Sequence, residues 1–403
     1  MFYKINTQFM KYSTIDSISS LLEDLESQNS EITTLDLSLN TFTPQVFLKI
    51  CQKIKNLKNC KQIIFESILD SLNYDEMCEI MTYMSEYLPL DLECLELPSN
   101  ALSCNFPSKF GSYISSSNLK ILNLHNCGLG EDGLKKIAAY LSNITDKSNL
   151  VSLDLSKNRI NVICQEFADI LSQFRNLSRI ILNANTIEET SMAHFLKNLK
   201  NQKLEILNLT DNFVCGKAID SLGDLFIRND LKELYLQDIK VDEGDINKLL
   251  KKFLLKNSIS KVNIEQPADN SNENIKDFAQ EPSLDNKSNT ESNSKLSESS
   301  DNKNESVLRN SLHLGLPGSF EEPKPSLTLD LSCNNFDQEC IELLNELTEL
   351  FVFEKLIIFD NNYEDCEKLK QIVVSNCGRF IDEEEDDDFE PVDESIIEMI
   401  KQL

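Results

Sequence analysis

Only three histidines occur in the 403 residues, His125, His194 and His313. No metal-ligand spacing joins them to cysteines or acids, and no Ser-His-Asp or Cys-His set is suggested. G-x-G-x-x-G and P-loop runs are absent too, so nucleotide and metal chemistry have no motif to stand on. The twelve cysteines are scattered without a Cys-x-x-Cys pair. Several, such as Cys94 and Cys127, fall at apolar or turn positions, which reads as buried thiols in a reducing compartment and not as a disulfide frame. No apolar run approaches the roughly 18 residues of a membrane span, and no secretory leader opens the chain. Positive charge is scarce: 39 basic against 67 acidic residues leave a net charge of −28. Such a chain repels nucleic acid and anionic membranes and attracts basic protein partners. A soluble, cytoplasmic, monomeric protein is the expectation.

What is present is a repeat. Leu-x-Leu-x-x-Asn recurs at Leu35-Leu37-Asn40, Leu95-Leu97-Asn100, Leu153-Leu155-Asn158, Leu207-Leu209-Asn212 and Leu329-Leu331-Asn334. Eleven copies can be started at Leu35, Ile63, Leu95, Leu122, Leu153, Ile180, Leu207, Leu234, Val262, Leu329 and Ile357. Their spacings are 28, 32, 27, 31, 27, 27, 27, 28, 67 and 28. A period near 28 holds one strand and one helix, the longer kind of leucine-rich repeat. Within Gly130 to Leu141, Leu134, Ile137, Ala138 and Leu141 keep helical spacing. The predicted fold is α/β: a leucine-rich-repeat solenoid, horseshoe-shaped, with a parallel inner sheet and outer helices. The closing asparagines, Asn40, Asn100, Asn158, Asn185, Asn212, Asn334 and Asn362, are expected to turn inward and satisfy backbone groups.

The 67-residue interval holds an insert, about 266–325, rich in Asn, Ser and charge and poor in aliphatics. Such a composition cannot offset its ordering entropy. The chain therefore divides into repeats at 1–265, a low-complexity insert at 266–325, further repeats at 326–381 and an acidic tail at 382–403. Within the insert, Val307 to Leu316 has the leucine spacing of a nuclear export signal; a helix or strand docking on the solenoid is the plainer reading. From Asp382 to Glu398 there are eleven acids and no lysine or arginine. That run is either a solubility tail or a device that steers a basic partner, screened beyond roughly 8–10 Å.

Leu122 to Leu141, LNLHNCGLGEDGLKKIAAYL, resembles the fourth-repeat signature of the Ran GTPase-activating protein family. ITTLDLSLNTF (32–42) resembles that family's first repeat, LELPSNAL (95–102) stands where the family has a Leu-x-Leu-Ser-Asp-Asn-Ala-Phe stretch, and Lys157-Asn158-Arg159 resembles its Arg-Asn-Arg rim. Eleven repeats and an acidic tail are also the family's architecture. The resemblance implies a regulator of a partner's hydrolysis and not an enzyme in its own right. The GTP form of Ran is the expected partner, in nucleocytoplasmic transport, with a cytoplasmic, perinuclear location. Ran-binding proteins are secondary partners. The chain itself needs no cofactor, because the GTPase carries GTP and Mg²⁺.

Register sharpens this. In LNLHNC the turn-closing position falls on Cys127, so Asn126 is spare and free to point at a partner. It matches the family's functional asparagine and is assigned the catalytic, positioning role. Asn100, His125, Arg159 and Tyr74 are the expected partner contacts. The family's loop arginine is replaced by Leu72, and no arginine precedes Arg159. An arginine finger from that loop is excluded; the resemblance implies instead that the family orders the GTPase's own glutamine. The alternative is a non-catalytic leucine-rich-repeat scaffold with an acidic tail. An actin-end-capping repeat protein is the third reading, and the absence of a preceding actin-binding helix opposes it.

Overall fold

The computed structural model describes residues 1–242, 244–256 and 323–384. The strands in chain order begin with β1 (Phe2–Lys4), β2 (Lys11–Tyr12), β3 (Thr34–Asp36) and β4 (Thr41–Phe42). Next come β5 (Gln62–Ile64), β6 (Cys94–Glu96), β7 (Ile121–Asn123) and β8 (Ser152–Asp154). They are followed by β9 (Arg179–Ile181), β10 (Ile206–Asn208), β11 (Glu233–Tyr235), β12 (Ser326–Asp330), β13 (Val352–Ile357) and β14 (Arg379–Ile381). All but β2 and β4, which pair with each other, form one twelve-stranded sheet in chain order, and every pairing is parallel. Helices alternate with these strands along the chain.

The register follows the repeat. Leu35, Ile63, Leu95, Leu122 and Leu153 align across successive strands. Ile180, Leu207, Leu234 and Leu329 continue the same row. These side chains are at most 1% exposed and belong to one continuous core with the helix residues. The helix Gly130–Ser142 contributes Leu134, Ile137, Ala138 and Leu141, as its spacing predicted. Short strands suffice because each strand-plus-helix unit buries its apolar face only by stacking on its neighbours.

Three sequence expectations need correction. Val262 lies outside the described residues, but β11 pairs directly with β12, Leu234 opposite Leu329. No strand starting at Val262 stands between them. Two strands went unread, β1 around Tyr3 and β14 around Phe380, so the end strands extend the sheet beyond the motif. In β13 the partner of Leu329 is Leu356, with Ile357 opposite Asp330. Between Leu327 and Thr328 the register slips, Phe353 and then Lys355 being the partners, so Glu354 is an extra residue. The bulge places Leu356, and not Lys355, opposite Leu329, so this copy starts at Leu356 and not at Ile357. Accordingly Asn361, not Asn362, closes it: its Nδ2 donates to Leu331 O and Ile358 O at 3.0 and 2.9 Å.

Val307–Leu316 and the tail from residue 385 lie outside the described residues. Among the described residues no helix is long and apolar enough to cross a membrane, and no metal-ligating cluster forms. All twelve cysteines are free thiols.

Candidate functional site

Each strand ends in a turn with a fixed backbone habit. The residue before the closing position holds a left-handed φ: Leu39, Ser67, Ser99, Asn126, Lys157, Ala184 and Asp211 lie between 49° and 61°. Side chains other than glycine pay for this region sterically, asparagine least. The closing residue then turns inward. Asn158 Oδ1 accepts from Cys127 N and Leu129 N at 3.0 and 3.2 Å. Its Nδ2 donates to Leu124 O and Ser156 O at 2.8 and 3.0 Å. One asparagine thus satisfies donors and acceptors of two adjacent turns.

In the β7 turn the closing residue is Cys127, as register predicted. It is fully buried, and its Sγ donates to Leu97 O and His125 O at 3.1 and 3.5 Å. Burial pushes the thiol up to about 12, so it stays a neutral donor. A thiol is a weak acceptor. In the preceding turn backbone carbonyls therefore take the donors, Leu102 N donating to Asn100 O within the turn and Ser103 N to Cys127 O of the next. The amide displaced by one residue, Asn126, is exposed. Its backbone N donates to Ser156 O at 2.8 Å, and Nδ2 reaches only Ser99 Oγ at 3.4 Å. Gly128 and Gly130 continue the turn with φ of 65° and 58° before the helix begins at Gly130.

The other expected contacts separate. His125 is half-buried. Its Nδ1 lies 2.6 Å from Ser156 Oγ, whose hydroxyl donates to Asp154 Oδ1. With that hydroxyl proton committed, Nδ1 must carry the hydrogen in its own bond. Arg159 is exposed on the same rim with φ 57°. Tyr74 is 56% exposed at the first position of the helix Tyr74–Tyr87, where the Asn73–Glu76 capping box starts the helix. Asn100 is a correction: it is wholly buried. Its Oδ1 accepts from Ile68 N and Leu69 N, and its Nδ2 donates to Phe65 O and Leu97 O. No atom of its amide is left for a partner, so it is a turn-closing residue like Asn158. Leu72 is half-buried against the core, where an arginine head would lose its water.

The open face of the sheet carries a polar groove lined from Lys4 to Tyr235 and including His125, Asn126 and Lys157. Its charges are mostly engaged. Lys4 pairs with Asp36 at 2.9 Å. Glu96 accepts from Gln62 Nε2 and Asn123 Nδ2, and Glu233 from Tyr235 Oη. The sequence reading missed Arg179 of this groove. It is 3% exposed, and its Nε and Nη1 are buried without a hydrogen-bond partner among the described residues.

A leucine-rich-repeat family model matches residues 115–138, which span β7, the Asn126 turn and most of the following helix. The parallel sheet with alternating helices fits an α/β leucine-rich-repeat solenoid, in keeping with that match. Solenoids of this class are scaffolds that bind other proteins along an extended surface.

Proposed function

We propose that this chain stimulates GTP hydrolysis by a small GTPase of the Ran type, acting from the rim of β7 and β8. The observation that carries the reading is the displaced amide: Cys127 closes the turn, and Asn126 is exposed in a left-handed conformation beside it. This supports the resemblance of 122–141 to the fourth repeat of that family. In this reading the Asn126 amide meets the partner's catalytic machinery and orders its glutamine. Arg159, His125 and Tyr74 hold the partner in place, while GTP and Mg²⁺ arrive with the GTPase. Cytoplasmic residence, Ran-binding proteins as further partners and a monomeric state belong to the same reading.

The chemistry is positional. Leu72 removes the loop arginine, and an arginine finger elsewhere supplies about 10³–10⁵ in rate. The acceleration must come from fixing the nucleophile and glutamine in a productive geometry, which on its own supplies several kcal/mol. The second reading, a non-catalytic scaffold, is favoured by that leucine and by the groove, which extends well beyond the Asn126 turn. A single-turnover assay separates the two. Full-length protein mixed with GTP-loaded Ran accelerates phosphate release in a concentration-dependent way if the first holds. Binding without acceleration leaves the scaffold.

A further inference from the structure

Arg179 sits at the first position of β9, with Ser152 of β8 and Ile206 of β10 as its register partners. Neither neighbour offers a carboxylate. Four acids of the same groove have partners of their own: Asp36 with Lys4, Glu96 with Gln62 and Asn123, Asp154 with Ser156, Glu233 with Tyr235. Arg179 forms no ion pair or side-chain hydrogen bond among the described residues, with Nε and Nη1 both buried. It nevertheless lines the groove. Its charge is felt at Tyr235, two strands away, where it opposes the upward push of burial and Glu233 on the phenol. A buried charge without a partner is costly, and cores are more stable when it is replaced by a well-packed apolar side chain. A guanidinium kept in that state on an open sheet face is placed to gain a partner on binding.

We infer that Arg179 is the anchor of a protein-docking groove and takes a single aspartate or glutamate carboxylate from the docked segment. The guanidinium is planar with several donors, which matches a carboxylate better than any neutral acceptor. The surroundings choose among anions. Glu66, Glu96, Asp154 and Glu233 line the same groove, so a dianionic phosphate or a polyacidic stretch meets repulsion. The fitting segment carries one carboxylate among neutral or basic residues. The groove's length points to a macromolecule: it touches nine consecutive strands of the sheet, from Lys4 of β1 to Tyr235 of β11. At about 4.8 Å per strand that is a span of roughly 38 Å. A metabolite fills a fraction of it; an extended segment or a helix follows it. This goes beyond the GTPase reading and does not depend on it.

The test uses the full-length protein with ¹⁵N-labelled arginine; the chain has six arginines, so the Arg179 Nε–H resonance is assigned by its loss in Arg179→Lys. The probes are acetyl-Ala-Glu-Ala-amide, its Gln counterpart and inorganic phosphate, at constant ionic strength. The expected result is a saturable shift of the Arg179 resonance with the Glu probe, at least tenfold weaker binding of the Gln probe, and weaker binding of phosphate. Equal behaviour of the Glu and Gln probes, no shift with either, or tighter binding of phosphate overturns the assignment. A second measurement needs no ligand. Arg179→Met is expected to raise Tm, by about 2 °C or more, since it removes an unpartnered buried charge. A lower Tm would mean that the guanidinium is already satisfied in the free protein and holds the sheet together, which also overturns it.

Discussion

The turns after β7 and β8 share a backbone and divide its work differently. Both place a left-handed residue before the closing position, Asn126 and Lys157, each with φ 53°. After β8 the closing residue is Asn158, which makes four internal hydrogen bonds to the β7 and β8 turns. After β7 it is Cys127, a weak donor and weaker acceptor, and the amide sits one residue earlier, outside. The lesson is that the same residue type is structural or available according to a one-residue offset. A scan for asparagines alone treats Asn100, Asn126 and Asn158 alike; register separates them.

The largest stability effect is expected from Asn158→Ala. It strands two buried amides, Cys127 N and Leu129 N, and two carbonyls. At about 1–3 kcal/mol per buried unsatisfied group, partly relieved by relaxation, the loss is about 3 kcal/mol in urea unfolding. A loss below about 1 kcal/mol would show that the turns close without the asparagine. Cys127→Ala removes one weak donor and a sulfur-sized volume, and is expected to cost about 1–2 kcal/mol by the same measurement. A cost equal to that of Asn158→Ala would erase the distinction between the two turns. The smallest effect belongs to Lys157→Gly. It keeps the left-handed turn, in a region glycine tolerates, and removes only an exposed side chain. Stability should stay within about 0.5 kcal/mol and GTPase stimulation within about threefold. A large loss of stimulation would move the site from Asn126 to the next rim position.

Much of the fold could be read directly, because the leucine row is a packing requirement repeated at every turn of the solenoid. The failures have separate causes. End strands β1 and β14 have one neighbour each and need no full motif, so Tyr3-Lys4 and Phe380-Ile381 gave no Leu-x-Leu signal. Leu356-Ile357-Ile358 offers two registers of equal hydrophobicity, and it is strand pairing, Leu356 opposite Leu329, that decides between them. Val262 stands in an alternating stretch, but strand pairing decides membership of the sheet, and that pairing runs from β11 to β12. At the site, the Asn126–Cys127 offset was legible because it is a matter of counting. Arg179 was not, since an arginine at the start of a strand looks the same whether or not an acid faces it across the strands. The available signal was the composition of its neighbours: Ser152 and Ile206 carry no charge.

The central claim is that the Asn126 side chain serves a partner and not the fold. Asn126→Gly tests it most directly. Glycine adopts φ 53° without strain, so unlike alanine it removes the amide while leaving the backbone undisturbed. Thermal unfolding and single-turnover hydrolysis by GTP-loaded Ran are measured on the same preparation. The account predicts a melting temperature within about 1 °C of the parent and a loss of stimulation of about 10²-fold or more, the scale of a deleted positioning contact. Stimulation at the parent level, or a fall in melting temperature of several degrees with activity lost in proportion, would contradict it.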